Sequence, residues 1–491
     1  MADVRRSGQL QAPDCGASAA EATFAMNTLN GTGRRTIFRL FESDTNHDDI
    51  AFQDAGRDVS WHEFGERVGG LVELLAGRPE NTWAICCENS LHFATSLFAL
   101  WLAGKVPVFP KNYQVGTLQR IRESVDAVLR DTPALEQFPS IDVTQVKGAA
   151  LRGAQISSTA HAIFFTSGST AEPKQVIKTA GQIQAELSVL DGLWGDAIRG
   201  SLVVSSVPCR HFYGNVFGLL LPLVSGGIID TSLWDPISMI RSCGGPRRVT
   251  WVSSPATLGR LPDVVAVESL KPGLKLVFSA GGPLPIAVPE EFRRALDFVP
   301  TEIYGSTETG AIAWRRQPCD GLWTVLPEVE VEQADEGCIR VRSPFLTDGN
   351  WLPLGDRIQL RQQNRFELVG RVDRFVKIEE RLLSLPDMEA RLRENSWLLD
   401  AAVTTVDLPQ PRRTIIAAAI ILNDQGRDEL KRQGRRGFAK SLQKHLAQWF
   451  EPVLLPRRWR YPEKFPVNEL GKLPADALQR LFLDGAEQEN S

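Results

Sequence analysis

The chain has few cysteines, and none of them is spaced for a disulfide framework or a structural zinc site. Seven cysteines are spread over 491 residues, only Cys86 and Cys87 lie close together, and no C-x-x-C pair is present. Sparse cysteines in this arrangement are typical of proteins from a reducing compartment. We therefore expect a cytoplasmic protein.

Long apolar runs and an excess of either charge are also absent. No apolar stretch reaches the roughly 18–20 residues that cross a bilayer, and the N-terminal segment lacks the apolar stretch of a secretory signal. Lys and Arg number 55 against 59 Asp and Glu, which gives a formal net charge of −4. A balanced charge does not predict nucleic-acid binding. We expect neither a membrane span nor a nucleic-acid partner.

The sequence does contain enough apolar residues, 43% of the chain, to build a large core. In the middle of the chain, short apolar runs at 163–165, 202–204, 249–252 and 276–278 alternate with helical stripes, a pattern typical of α/β folds. The other predicted elements are a helix after Ser60, which has capping-box spacing with Glu63, a helix over 91–102, a strand over 106–109, a helix opened by Pro386, a strand over 414–422, and a helix with the stripe Phe438, Leu442, Leu446 and Trp449.

Changes in composition and pattern predict the domain boundaries. Residues 1–30 are rich in Ala, Ser and Gly without periodicity, and they are expected to form a loose N-terminal arm. From about 337 to 369 the strands become short and closely spaced, and beyond Gly370 the composition changes again. The predicted division is therefore an N-terminal domain over 31–370, a hinge over 371–373 and a C-terminal domain over 374–491.

A loop rich in small and hydroxyl residues follows the predicted strand at 163–165. Residues 166–174 read TSGSTAEPK, without the spacing of a Walker A loop. Small residues let backbone N–H groups approach a phosphate closely, hydroxyls donate to its oxygens, and a lysine supplies charge. A polar surface turn is the alternative for an arbitrary string of this composition. The candidate phosphate-binding residues are Thr166, Ser167, Gly168, Ser169, Thr170 and Lys174.

This loop is the first of six motifs that together resemble the adenylate-forming superfamily, which includes acyl-CoA synthetases, aryl-acid ligases, luciferases and the adenylation domains of peptide synthetases. Taken singly, each motif has a structural explanation, such as a core aromatic residue for Tyr304 or a surface lysine for Lys472. Six motifs in the family's order argue against coincidence. The other five are SAGGPL at 279–284, YGSTE at 304–308, Gly355-Asp356, GRVD at 370–373 and NELGK at 468–472.

The resemblance implies a role for each motif. A carboxylate suits a hard cation that bridges phosphate oxygens, so Mg²⁺ is expected on Glu308. The remaining implied roles concern ATP and catalysis: Gly281 and Gly282 line the adenine, Tyr304 stacks on it, Thr307 reaches the α-phosphate, Asp356 and Arg371 hold the ribose, Lys174 holds the leaving phosphates, Asp373 is the hinge and Lys472 is the catalytic lysine.

The same resemblance implies the fold and the reaction. The expected fold is α/β, with layered α/β subdomains and a distorted β subdomain in the large N-terminal domain, and a small mobile α+β C-terminal domain. The expected enzyme joins a carboxylic acid to ATP as acyl-AMP with release of pyrophosphate, and passes the acyl group to the phosphopantetheine thiol of an acyl carrier protein. Free CoA is the alternative acceptor. A non-catalytic nucleotide-binding scaffold is the alternative from another class. The presence of Lys174, Glu308 and Lys472 argues against it, because a scaffold does not need these three residues together.

Four departures from the family pattern bear on these expectations. Ala171 and Gln175 stand where the phosphate loop has glycine, and Leu354 stands where threonine is common. Glu380 replaces a glycine next to which the family's thiol arm passes the backbone. This glutamate either obstructs a pantetheine arm or points aside.

The segment PCRHFYG at 208–214 resembles the family's acyl-pocket wall, with His211 and Phe212 as pocket residues. A packed core histidine is the alternative for His211. No acid lies between Pro208 and Leu219 to pair an α-ammonium, which disfavours amino-acid activation. Phe212 offers no partner for an ortho hydroxyl, so an aromatic acid without that group and a medium acyl chain both stay open.

The segments 302–316 and 384–386 look most like those of compact bacterial ligases from aryl-polyene pigment clusters. These ligases are thought to load an aryl or hydroxyacyl acid onto an acyl carrier protein. Carrier proteins are acidic, so a basic docking face is expected, with an ordinary solvated helix face as the alternative. The candidate residues are Arg432, Arg435, Arg436, Lys440, Lys444, Arg457, Arg458 and Arg460.

Overall fold

The computed structural model describes residues 35–42, 48–133, 138–151, 155–167, 173–317, 321–334, 337–346, 349–362, 364–371, 375–378, 381–409, 412–468 and 473–483. Two large sheets, two small sheets and the helices packed on them make up these residues, and the predicted α/β class is confirmed. No helix among the described residues is long and apolar enough to span a membrane. The predicted arm over 1–30 lies outside the described residues.

Helices separate most of the strands before residue 300, whereas the described strands from β13 to β21 follow one another without a helix between them. In chain order they are β1 (Ile50–Asp54), β2 (Arg57–Ser60), β3 (Thr82–Cys86), β4 (Val106–Phe109), β5 (Ala127–Arg130), β6 (Ser140–Asp142), β7 (His161–Ser167), β8 (Pro173–Thr179), β9 (Leu202–Ser205), β10 (Ile228–Leu233), β11 (Val249–Ser253), β12 (Leu274–Ala280), β13 (Thr301–Ser306), β14 (Gly310–Arg315), β15 (Trp323–Val325), β16 (Glu330–Gln333), β17 (Cys338–Arg342), β18 (Leu352–Arg361), β19 (Arg365–Arg371), β20 (Phe375–Ile378), β21 (Arg381–Ser384), β22 (Leu398–Pro409), β23 (Arg412–Leu422) and β24 (Arg458–Arg460).

The helices cover the sheets and begin at residues suited to helix starts. Ser60 accepts a hydrogen bond from Glu63 N and Asn89 accepts one from Leu91 N, so each satisfies a free N–H group of the first turn. In chain order the helices are α1 (Trp61–Ala76), α2 (Ser90–Leu102), α3 (Val115–Arg120), α4 (Ala180–Ile198), α5 (Phe212–Asn215), α6 (Leu221–Ser225), α7 (Pro236–Cys243), α8 (Pro255–Gly259), α9 (Leu261–Val264), α10 (Ala287–Leu296), α11 (Leu385–Arg393), α12 (Asp424–Leu446, broken at Gly434) and α13 (Ala475–Leu483).

The two large sheets differ in the direction of their strands. One has six strands in the order β6-β5-β3-β4-β7-β8, parallel except for the final β7–β8 pair. The other has thirteen strands in the order β16-β17-β18-β19-β15-β14-β13-β12-β11-β9-β10-β1-β2. Its β10-β9-β11-β12-β13 region is parallel, as helix-connected strands require, and the pairs from β13–β14 through β16–β17 are antiparallel. The closely spaced strands predicted over 337–369 lie in this antiparallel part.

The C-terminal residues have hydrophobic cores of their own. Two clusters of buried side chains are built from residues between 376 and 482, around the β22-β23-β24 sheet and the helices α11, α12 and α13. The larger cluster includes Phe438, Leu442 and Leu446, which lie on one face of α12 as predicted. A core of its own supports a separate C-terminal domain, while the boundaries at 370 and 373 stay predictions.

The predicted elements are confirmed with two corrections. Trp449 lies beyond the end of α12 and is 42% exposed, so it is not part of the helical stripe. The capping box at Ser60 is half formed, because the Glu63 carboxylate binds Arg57 and Arg67. These two guanidinium partners lower the pKa of Glu63 to about 2, outweighing the effect of its burial.

Candidate functional site

A cavity of about 210 Å³ opens between the two large sheets. Its wall includes Phe164 and Thr166 on β7 of the six-stranded sheet, and Ile303 and Gly305 on β13 of the thirteen-stranded sheet. The carboxyl ends of parallel strands are the usual place for a ligand in an α/β sheet. Asn468, the first residue of the predicted C-terminal lysine motif, also lines this cavity.

The sequence predictions for the site fall into three groups. Thr166, His211, Phe212, Gly281 and Thr307 line the cavity. Lys174, Gly282, Tyr304, Glu308 and Asp356 are described but are not part of the cavity wall. Gly168, Ser169, Thr170, Asp373, Glu380 and Lys472 lie outside the described residues, as do the side chains of Ser167 and Arg371.

Glu308 is held by two lysines from one strand. Lys174 Nζ lies 2.8 Å from Glu308 Oε1, and Lys178 Nζ donates to the Glu308 carbonyl oxygen at 2.7 Å. Side chains alternate along a strand, so Lys174 and Lys178 share one face of β8. Two motifs that are 134 residues apart are thus in direct contact.

The Glu308 carboxylate is ionised and accessible. Burial raises its pKa, but the hydrogen bond from Lys174 and further hydrogen bonds outweigh that effect, and the pKa lies below its usual value. The described residues contain no cluster of three or more His, Cys, Asp or Glu that could hold a metal ion by themselves. Mg²⁺ commonly takes one or two carboxylates and completes its shell with water and substrate phosphates, so Glu308 fits this ion as a single protein ligand.

A tight hairpin carries Thr307 and Glu308. It joins β13 to β14, and Thr309 Oγ1 accepts a hydrogen bond from Ser306 N at 2.9 Å and donates one to Gly310 O at 2.7 Å. A side chain at Gly305 would bring its Cβ to 2.2 Å from Gly310 O, and Gly310 itself has a φ of +71°. Both glycines are therefore required by the backbone geometry of the hairpin.

We predict that Gly305→Ala distorts this hairpin and lowers both stability and activity. A methyl group cannot move away from a backbone oxygen at 2.2 Å, so the two strands must separate. The expected cost is about 1–3 kcal/mol of stability, measured as a lower melting temperature together with slower acyl-AMP formation. Gly259→Ala is the matched control, because nothing lies within 4 Å of its added Cβ. Equal melting temperatures of the two variants would contradict the prediction.

Tyr304 is held by an aromatic cluster next to a buried ion pair. Its ring lies 5.5 Å from the ring of Trp323 and 5.8 Å from that of Phe366. The Arg315 guanidinium lies 4.4 Å from the centre of the Trp323 ring and donates to the buried Glu302 carboxylate at 2.9 and 3.0 Å. These contacts fix the plane of Tyr304, as a residue that stacks on a base requires.

The predicted adenine segment is tied to the same ion pair. Leu284 N donates to Glu302 Oε2 at 3.2 Å, which anchors the end of the SAGGPL segment. Within the segment, Gly281 has a φ of +96°, a conformation that favours glycine. Ala280 and Gly281 of this segment lie on the cavity wall.

The two residues predicted to hold the ribose face each other. Asp356 on β18 and Arg371 on β19 are paired residues in the antiparallel ladder. Their main chains are therefore neighbours on adjacent strands, which agrees with a shared ligand.

Sequence reasoning missed two buried ionisable residues at the site. Lys178 is 3% exposed and Glu186 is 2% exposed. Burial lowers the pKa of Lys178 to about 8, although Glu186 and Glu308 attract its charge. Burial raises the pKa of Glu186 to about 7, although the Ala311 N–H and Lys178 favour its charged form. The sequence does contain a signal for Lys178. It lies two residues after the apolar Val176, so the alternation of side chains along β8 places a charged residue on the buried face of the strand.

The middle of the chain matches the model of a known family. Residues 118–338 match the family described as AMP-binding enzyme. A 4-coumarate–CoA ligase from Rhodobacter capsulatus is 31% identical over 224 residues, which cover 45% of this chain and 54% of the ligase. Malpinin synthetase from Mortierella alpina is 22% identical over 93% of this chain and 7% of the synthetase. The chain thus spans about half of the ligase and a small part of the synthetase.

The solved structures show the same fold. MatB from Rhodopseudomonas palustris with ATP bound superposes with a TM-score of 0.77 at 18% identity, covering 92% of this chain and 99% of that one. The resemblance to the adenylate-forming superfamily is thereby confirmed. The finer resemblance to ligases of aryl-polyene clusters stays a prediction.

Proposed function

We propose that the chain activates a carboxylic acid with ATP as an acyl-AMP, releases pyrophosphate, and passes the acyl group to the thiol of a carrier protein. The match of residues 118–338 to the family described as AMP-binding enzyme supports this proposal. The contact between Lys174 and Glu308 carries the proposal. It brings a cation for phosphate oxygens and a carboxylate for a metal ion to the edge of a cavity that Thr166 and Thr307 also line.

The barrier to the first step is the approach of two anions, a carboxylate and the α-phosphate. Catalysis of such a step is mainly positional and electrostatic. Thr166, Lys174 and the loop 167–170 hold the phosphates, Thr307 contacts the α-phosphate, and Lys472 neutralises the two anions as the bond forms. Mg²⁺ held by Glu308 supplies charge neutralisation at the phosphates.

The nucleoside is bound by backbone and aromatic groups. Gly281 and Gly282 line the adenine, Tyr304 stacks on it, and Asp356 and Arg371 bind the ribose hydroxyls. We further propose that the C-terminal domain over 374–491 moves about Asp373 and delivers Lys472 to the cavity. The position of Asn468 on the cavity wall supports this, because only three residues separate it from Lys472.

The test is ATP–pyrophosphate exchange across a panel of aryl and acyl acids. Exchange that depends on a particular acid is the expected result, and chelation of Mg²⁺ is expected to abolish it. Exchange with no acid in the panel, by a protein that is folded and binds ATP, would favour a non-catalytic scaffold instead.

The proposed carrier-docking surface is reduced by the structure to five residues. Arg458 and Arg460 donate to the carbonyls of Phe482 and Leu481 in the last turn of α13, and Arg432 pairs with Glu429. These three therefore have structural partners, a correction to the basic face expected from sequence. The remaining side chains, all exposed, are Arg435, Arg436, Lys440, Lys444 and Arg457.

We predict that reversing Arg435 and Arg436 to glutamate raises the apparent KM for a carrier protein several-fold and leaves adenylation unchanged. Exposed charges act mainly on the association rate with an oppositely charged partner, and salt screens the effect. The measurement is thioester yield against carrier concentration at low and high salt.

The matched control reverses Arg293 and Arg294, two adjacent exposed arginines on α10. Equal effects of the two double reversals would contradict docking at α12. Free CoA is the second candidate acceptor, favoured by the similarity to a 4-coumarate–CoA ligase. Equal thioester yield with CoA and carrier, unaffected by either reversal, would establish it.

A further inference from the structure

The Glu186 carboxyl lies on the wall of the cavity and has no part in the ATP contacts proposed above. Glu186 is near the middle of α4, where Ile183, Leu187 and Leu190 form the buried face. Its side chain is 2% exposed, yet it lines the cavity. A carboxyl group at such a position is costly to bury unless it has hydrogen-bond partners.

The contacts of Glu186 leave part of its bonding capacity unused. Oε1 accepts a hydrogen bond from Ala311 N at 2.8 Å, and this is the one hydrogen bond to the carboxyl from the described residues. The carboxyl fits there because Gly310 lacks a side chain, since a Cβ at that position would lie 2.6 Å from Oε2. A carboxylate accepts about four hydrogen bonds, so Glu186 can take more.

The cavity wall has both polar and apolar parts, and its polar residues include Lys111, Thr166, Arg210, His211, Ser254 and Thr307. Phe164, Phe212, Val216, Phe217 and Ile303 line the same cavity with apolar surface. The rings of Phe164 and Phe212 pack edge to face at 5.1 Å. Binding sites of this kind take an apolar or aromatic body and use a few polar groups to select its orientation.

We propose that Glu186 hydrogen-bonds a hydroxyl or amino substituent on the body of the acid substrate, so that the enzyme prefers a ring or chain acid with such a donor over its unsubstituted parent. This assignment rests on the proposed function. The segment 208–219 of the pocket wall contains no acidic side chain. Glu186 provides one to the same pocket from α4.

The electrostatics agree with recognition of a neutral donor. Burial raises the pKa of Glu186 to about 7, and the buried Lys178 counters part of that effect. A group in this range exists in both forms near neutral pH. The charged form accepts a hydrogen bond from a hydroxyl or amine, and the neutral form also donates to a hydroxyl oxygen.

The experiment compares matched acids by ATP–pyrophosphate exchange. The pairs are benzoate with 3- or 4-hydroxybenzoate and 4-aminobenzoate, and cinnamate with 4-hydroxycinnamate. In the wild-type enzyme we expect kcat/KM for the best substituted acid to exceed that of its parent by about 10- to 100-fold. Comparison of the hydroxy acids with 4-aminobenzoate identifies which hydrogen-bond donor the enzyme prefers.

Two variants assign the preference to Glu186. Glu186→Gln keeps an acceptor for Ala311 N and is expected to lower the preference about three- to tenfold. Methionine is similar in length to glutamate but has no oxygen that accepts a hydrogen bond. Glu186→Met is therefore expected to bring the ratio of kcat/KM between a substituted acid and its parent close to one. The control is Glu389→Gln, which alters a buried carboxylate that accepts a hydrogen bond from Val403 N and is not on the cavity wall, and it is expected to keep the wild-type ratio.

The outcomes separate this assignment from the proposed function. If the wild-type enzyme shows exchange but accepts substituted acids and their parents equally, the Glu186 assignment alone is overturned. This result does not depend on whether the two variants fold. A preference that survives in folded Glu186→Gln and Glu186→Met also overturns it. Absence of exchange with every acid overturns the proposed function, and this assignment with it.

Discussion

Replacing Lys472 with alanine is expected to slow acyl-AMP formation by about 100- to 1000-fold, the usual effect of removing one charge-stabilising group from an active site. In the proposed mechanism the charge of Lys472 is needed mainly when carboxylate and α-phosphate meet, so its loss should affect the transition state more than bound ATP. Nucleotide affinity, measured by equilibrium binding, is expected to change little. The measurement of the rate is single-turnover formation of acyl-AMP.

Lys464 is a suitable control for Lys472. It lies in the same C-terminal segment, is exposed, and is not part of the NELGK motif. Lys464→Ala is expected to retain the wild-type rate. A wild-type rate in Lys472→Ala would remove this lysine from the mechanism, and lost ATP affinity at an unchanged rate of the chemical step would make it a binding residue instead.

Glu308→Gln is expected to lower the rate by a similar factor while leaving the fold intact. The Lys174 and Glu308 side chains are 58% and 32% exposed, and ion pairs this accessible contribute about 0–1 kcal/mol to stability. A shift of the melting temperature beyond a few degrees is therefore not expected. Glutamine has the same shape but no charge, so the dependence of the rate on Mg²⁺ should move to higher concentrations.

Lys174→Met distinguishes the ion pair from the metal site. This variant breaks the Lys174–Glu308 ion pair by removing the cation, and it keeps the Glu308 carboxylate. The Mg²⁺ concentration that the reaction requires should therefore stay near that of the wild type, while the rate of ATP–pyrophosphate exchange falls. Identical Mg²⁺ dependence in the two variants would contradict the role of Glu308 as a ligand. A collapsed melting temperature in Glu308→Gln would make this residue structural.

The sequence predicts local structure well and long-range contacts poorly, for physical reasons. The strands at 163–165 and 276–278 are apolar runs with turn residues beside them, and both formed as expected. Trp449 has the correct spacing for the α12 stripe, but the helix ends at Leu446, because spacing alone does not mark a helix end. No local pattern indicates that Lys178 donates to the carbonyls of Glu308 and Phe345.

The candidate site follows the same rule. The family motifs led to Thr166, Gly281 and Thr307 on the cavity wall, since each motif is a contiguous segment with its own chemistry. Glu186 escaped because it belongs to no motif and lies in an apolar helix face, where a charged residue gains meaning only from its neighbours in space. The contact of Ala311 with Glu186 joins residues 125 positions apart.

The close packing at Gly305 and Gly310 also limits how this pocket can change over evolution or in the laboratory. Any larger residue at either position meets a backbone oxygen or the Glu186 carboxyl within 2.6 Å, so the hairpin offers no room for variation. Position 186 is different, because shortening that side chain enlarges the cavity and neutralising it changes the polarity of the wall, and neither change adds an atom against the main chain. New acid preferences are therefore most readily obtained by diversifying α4, with the β13–β14 hairpin kept constant.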